Sequence, residues 1–255
     1  MRIVWLAGAM AGLWCGGAVV VAVAAEAGPA SGLTFTTVPG GCFTMGDDTG
    51  RGAFHERPAH QVCLDDFALG TTEVTHGQWR AVMGDGHPLS SGDPDSPVQG
   101  VTIGDIDAFL ARLNALGAGR FRLPTEAEWE YACRAGGDQE YGTATGAMSP
   151  RDANVEGGED GWDEAAPVGR YPPNALGLHD MSGNLWEWVE DVYAADAYGK
   201  HAAANPVYRE AGPSRVLRGG GWSFEAESAR CRTRRMNCRP SVRYDFVGLR
   251  LVRLP

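Results

Sequence analysis

The sequence predicts an α+β fold, rich in loops and built as one domain over residues 33–253. Short helices with N-terminal capping signals and short alternating strands crowd the first half of the chain. Beyond Gly137 the glycine- and asparagine-rich sequence keeps no sustained apolar period, so loops and short strands are expected there. No proline- or serine-rich linker divides the roughly 230 residues that follow the apolar amino terminus, and that length can bury most of its unfolded surface in one unit. Long irregular segments in such a domain usually need pinning by function, metal or disulfide.

Residues 1–25 carry one charge at Arg2, an apolar run from Ile3 to Val23 and small residues at Ala22-Val23-Ala24. This is the pattern of a cleaved secretory signal, with an uncleaved anchor as the alternative on length. Cys15 follows the bulky Trp14, which argues against lipid attachment. A periplasmic or secreted protein is expected, with no stable membrane insertion after cleavage.

Alternation in Cys42-Phe43-Thr44-Met45 and Gln61-Val62-Cys63-Leu64 predicts two strands joined by a polar loop, which could place Cys42 and Cys63 on neighbouring strands and allow them to bond. A helix is predicted over His76 to Met83, with Thr75 and Gln78 at capping-box spacing and Gly84 as its stop. Another is predicted from Gly104 to Leu116, where Ile106, Phe109, Leu110 and Leu113 form one stripe. In the third, Thr125 is the N-cap, Glu128 its reciprocal partner, Trp129 and Ala132 belong to the apolar face and Gly136 is the stop.

The formal charge of −10 favours solubility and argues against nucleic acid as a main partner. Ten arginines nevertheless lie between Arg215 and Arg253, against Glu225, Glu227 and Asp245. The expected reason is that guanidinium groups satisfy buried carbonyls and carboxylates in a fold with little regular structure; a surface patch for anions is the alternative. Five cysteines follow the signal, namely Cys42, Cys63, Cys133, Cys231 and Cys238, so an exported chain would form disulfides and leave one thiol over. The six histidines show no metal-ligand spacing and are assigned no iron or zinc. Trp186, Trp188 and Trp222 could line a cleft, but core filling is the expected role of large aromatics.

Five motifs run through the chain: Gly40-Gly41-Cys42-Phe43-Thr44-Met45-Gly46, the stretch Arg122-Leu123-Pro124-Thr125-Glu126 through Arg134, Asn174 through Trp188, Arg218-Gly219-Gly220-Gly221-Trp222 and Gly248-Leu249-Arg250-Leu251-Val252. Together they resemble the formylglycine-generating enzyme, or sulfatase-modifying factor, superfamily. The resemblance implies a loop-rich fold of the C-type-lectin-like kind.

Asn154-Val155, Glu159 through Trp162 and Asp180 through Glu187 place oxygen donors on glycine-rich turns. By spacing alone such groups usually just make turn hydrogen bonds. The resemblance implies two structural calcium ions there: one held by Asn154, the Val155 carbonyl, Asp160 and the Trp162 carbonyl, the other by Asp180, the Gly183 and Leu185 carbonyls and Glu187.

The family's oxidases use copper(I) and a pair of cysteines to convert a client cysteine to formylglycine, and soft thiolates suit that ion. Phe224 stands where the first of those cysteines belongs, and without a gap the second falls on Ala229. The resemblance also implies a structural disulfide from Cys133 to Cys231, with Cys238 left as the odd thiol or replacing Cys231 in the bond. The leading expectation is therefore a maturation or binding factor for an exported protein client or small ligand. Its recognition surface would comprise Trp222, Phe224, Glu225, Arg230, Arg232, Arg234, Arg235 and Arg243. The alternatives are an oxidase in which Cys231 and Cys238 form an unusual copper pair, or a periplasmic enzyme tailoring a small molecule. No residue pattern sets the oligomeric state.

Overall fold

The computed structural model describes residues 26–27, 32–149, 151–159 and 161–255, so the expected signal segment and Asp160 lie outside the described residues. The predicted strand pair forms as β3 (Gly41–Met45) and β4 (His60–Leu64), antiparallel with Cys42 directly opposite Cys63. The two cysteines are disulfide-bonded.

A five-stranded sheet contains β1 (Glu26–Ala27), β2 (Thr34–Val38), β5 (Phe67–Gly70), β11 (Val252–Leu254) and β6 (Arg120–Arg122), in that order. The last strand of the chain thus lies between early strands, closing the domain end to end. A four-stranded sheet contains β10 (Val247–Leu249), β7 (Trp186–Val192), β8 (Arg215–Arg218) and β9 (Arg235–Cys238). In it β10 runs parallel to β7, with Val247 opposite Trp186, and the other pairings are antiparallel.

Among the described residues, three α-helices join these sheets. In α1 (His76–Met83) the Thr75 hydroxyl accepts the Gln78 amide while Gln78 reaches back, and Gly84 closes the helix at φ 89°. The second, α2 (Ile103–Ala115), starts one residue before the predicted position because Thr102 and Asp105 form a capping box that periodicity alone does not locate. Trp79 of α1 stacks on Phe109 of α2 with ring centroids 4.6 Å apart, and both belong to a core shared with Trp186, Trp188, Val247 and Leu249. Two of the three tryptophans considered for a cleft are therefore core residues, Trp188 donating its indole N–H to the Val101 carbonyl at 2.9 Å.

The third helix, α3 (Glu126–Cys133), differs more from expectation. It ends before Gly136, and every one of its residues is buried instead of one apolar face. It packs against β3, β4, β7 and β8 and joins a second core with Phe43, Val62, Leu178 and Val189. The capping box is local to the helix; the burial on all sides depends on strands more than 50 residues away in the chain, β3 and β4 upstream and β7 and β8 downstream.

Candidate functional site

Burying α3 brings Glu126, Glu128 and Glu130 out of water, and each needs a counter-charge. Arg234 Nε and Nη2 donate to Glu126 at 2.6 and 2.9 Å. Arg122 grips Glu128 with two bonds of 2.7 Å, and Glu130 accepts from Arg218 and from Arg134. Burial pushes the Glu126 carboxyl up, but Arg234 and Arg218 offset this and hold it below the usual range. Nearby, Arg230 meets buried Glu56 at 3.3 Å, and Arg232 donates to Asp138 at 2.6 Å.

These pairings correct part of the expected recognition surface. Arg230, Arg232 and Arg234 are buried and are not surface groups: buried Glu56 and Glu126 pair with Arg230 and Arg234, while Arg232 reaches outward to the exposed Asp138. Half of the arginines in this tail, Arg218, Arg230, Arg232, Arg234 and Arg250, line the inside of the fold. Arg243 is exposed but pinned to the start of α2 through Asp105 and the Gly100 carbonyl.

Trp222, Phe224, Glu225 and Arg235 remain at the surface or partly so. Arg235 of β9 sits over three rings, 4.6 Å from Phe224, 5.1 Å from Phe246 and 5.4 Å from Trp186. Glu156 donates its amide to the Phe224 carbonyl at 2.9 Å, tying the 155–158 turn to this segment. Between them lies a cavity of about 360 Å³ walled by Trp162 and Trp222, with Glu156 and Asp163 on its lining. The Trp222 indole N–H is shielded from solvent and has no hydrogen-bond partner among the described residues.

Cys133 at the end of α3 is bonded to Cys231, the connection the resemblance implied. Cys238 is a buried thiol on β9, and burial raises it above its ordinary value. The proposed Cys231 and Cys238 copper pair is therefore not assembled: Cys231 has no free thiolate, and a side-chain ring occupies position 224. Cys238 is the one free thiol among the described residues.

The turn after Tyr171 is different. Asp180, Gly183 and Asn184 take φ of 57°, 87° and 63°, folding 180–187 tightly on itself. Asp180 accepts the Gly169 amide through Oδ2 at 2.7 Å, while its buried Oδ1 has no partner among the described residues. Glu187 accepts from Arg250 at 2.8 Å and from the Trp129 indole at 2.7 Å. Glu73, which no motif or spacing singles out, is fully buried beside them. Burial, then the charges of Asp180 and Glu187, push Glu73 well above the carboxylate range, and burial likewise raises Asp180. An orphaned carboxylate oxygen in a surplus of buried negative charge fits a hard cation.

At the other expected ligand set, Asn154 is buried, its Nδ2 donating to the Glu164 carbonyl at 2.8 Å, and the Val155 carbonyl accepts the Gly158 amide at 3.0 Å. Trp162 is 40 % exposed. The Asn154 carbonyl accepts the Asn184 amide at 2.8 Å, so the two turns are joined directly. Among the described residues no three Asp, Glu, His or Cys side chains converge as a ligand set. Both expected sets draw half their donors from backbone carbonyls.

The family model described as "Sulfatase-modifying factor enzyme 1-like domain" matches residues 22–255. The chain belongs to this family. It is 31 % identical to the formylglycine-generating enzyme of Streptomyces coelicolor over 86 % of this chain and 89 % of that relative. The hercynine oxygenase of Mycolicibacterium smegmatis is 30 % identical over 86 % of this chain, which spans 60 % of that relative's length. Among solved structures, PvdO from Pseudomonas aeruginosa superposes with a TM-score of 0.81 at 28 % identity, covering 91 % of this chain and 98 % of PvdO. Treponema denticola variable protein 1 shares the fold at a TM-score of 0.77 and 24 % identity, covering 92 % of this chain and 99 % of that one. The loop-rich α+β architecture is thus that of the sulfatase-modifying-factor family.

Proposed function

We propose that this chain is an exported sulfatase-modifying-factor protein that recognises a client protein or small ligand and does not run copper-thiolate oxidation. The observation carrying this reading is the state of the three positions that could supply copper ligands. Phe224 replaces one thiol, Cys231 is bonded to Cys133, and Cys238 is a single buried thiol. Export is supported by the signal-like residues 1–25 and by the two disulfides, which persist in oxidising compartments.

The recognition site in this reading is the cleft between Trp222 and the turn that carries Trp162. Its two indoles and its carboxylates Glu156 and Asp163 suit a ligand that combines a flat or apolar face with positive charge. Its volume, about 360 Å³, falls among small-molecule sites and would equally admit one side chain of a client. Two calcium ions would stiffen the adjoining turns. Asn154, Asp160 and the Val155 and Trp162 carbonyls would hold the first, and Asp180, Glu187 and the Gly183 and Leu185 carbonyls the second. The ions would supply charge compensation to the loops and take no part in chemistry.

An anaerobic copper(I) titration against a competing chelator tests this, using the purified protein before and after reduction beside Cys231→Ser and Cys238→Ser. No tight one-to-one binding is expected in the disulfide-bonded form. Tight binding that appears on reduction and is lost in both variants would overturn the proposal in favour of the oxidase.

A further inference from the structure

We propose that Glu73 is the positioning residue of the second cation site, fixing the turn that presents the ligands and completing the negative charge a divalent cation neutralises. This rests on the calcium reading above and adds to it a residue outside the expected ligand set.

Glu73 lies just before the cap of α1, more than 100 residues from the turn it reaches, and is 0 % exposed. Its Oε1 accepts the Leu185 amide at 3.2 Å and its Oε2 accepts Asn184 Nδ2 at 2.9 Å. Asn184 in turn uses Oδ1 to accept the Ala166 amide at 2.9 Å and Asn154 Nδ2 at 3.3 Å. One carboxylate therefore clamps the residue that links both expected sites, and it holds the peptide whose neighbouring carbonyls, those of Gly183 and Leu185, are expected ligands. Through these two bonds Glu73 acts on Asn184 and Leu185, the residues that shape the turn.

Charge points the same way. Glu73, Asp180 and Glu187 are 0, 6 and 0 % exposed, and the guanidinium facing them is Arg250, which places Nε and Nη2 on Glu187. His179 stands beside Asp180 with its Nδ1 on the Tyr171 carbonyl. Three carboxyl groups stand against one guanidinium, so a divalent cation bound at the turn would meet an acidic surplus that Arg250 does not cancel. Without it the surplus is costly in a buried setting.

Calcium titration of the chelator-stripped purified protein tests this in wild type, Glu73→Gln and Glu73→Asp, with Asp180→Asn marking the binding step that belongs to the second site. Glu73→Gln is expected to weaken that step roughly 10–100-fold, the usual effect of losing a partner that orients metal ligands. Thermal unfolding should show the calcium-dependent rise in Tm shrinking in the same variant, whereas a merely structural role would lower Tm equally with and without calcium. Wild-type protein that binds no calcium overturns the calcium reading and this inference together. Wild-type binding with an unchanged Glu73→Gln overturns the inference alone. Should Glu73→Gln fail to fold, Glu73→Asp decides: it keeps the charge but is too short to hold both N–H groups, and wild-type affinity in it would reject the positioning role.

Discussion

Two buried acidic regions, one around α3 and one around the 180–187 turn, solve the same electrostatic problem differently. Around α3, Glu126 and Glu130 meet Arg134, Arg218 and Arg234, so the chain carries its own cations. Around the 180–187 turn, Glu73, Asp180 and Glu187 meet Arg250, and the protein's own charges do not balance. A self-neutralised cluster is complete on folding. An unbalanced one depends on whatever counter-charge it can recruit.

The largest expected effect comes from breaking the balanced side. Arg234→Ala removes both bonds to Glu126 and the bond to the His55 carbonyl, leaving a fully buried carboxylate with Arg218 at 3.8 Å as its remaining guanidinium. A loss of about 3–5 kcal/mol in denaturant unfolding is expected, as for other buried pairs stripped of one partner. The loss should be the same with calcium or chelator, which separates this cluster from the other.

pH should divide the two regions by sign. Glu126 is held below its unfolded value, so its contribution is present above the ordinary carboxylate range and is lost as pH falls through its folded value. Glu73 and Asp180 are raised, so the calcium-free folded state binds more protons than the unfolded chain and loses stability as pH rises from that range through their folded values. Chelated protein should therefore gain stability on mild acidification from neutral pH and lose it again on further acidification. Saturating calcium should flatten the first limb and leave the second. Unfolding free energies measured across pH 4–8 with and without calcium would check it; equal slopes in both conditions would erase the distinction between the clusters.

What could be read from the chain divides along similar lines. Thr75 with Gln78 and Thr125 with Glu128 announced their helices because a capping box is complete within four residues. Alternation put Cys42 and Cys63 on neighbouring strands for the same reason, since strand facing is a local property; that they stand directly opposite is set by the register. Arg230, Arg232 and Arg234 were not legible as interior groups, because their partners Glu56, Asp138 and Glu126 lie 94 to 174 residues away. Glu73 gave no signal at all: a single glutamate before a helix cap looks like any exposed acid until the turn at 184–185 closes over it.

The smallest expected effect sharpens the contrast within the tail itself. Arg243 stands nine positions after Arg234, in the same basic segment, and also pairs with a carboxylate, Asp105. Its side chain is 53 % exposed, so water already solvates much of the guanidinium and would solvate Asp105 once the arginine was gone. Asp105 would also keep the Thr102 amide at 2.8 Å, as the capping box of α2 requires. Arg243→Ala should therefore cost about 0–1 kcal/mol in the same denaturant experiment. A loss as large as that of Arg234→Ala would mean that residue type, and not burial, sets the worth of an arginine here, and the division between a self-neutralised interior and a solvated rim would fail.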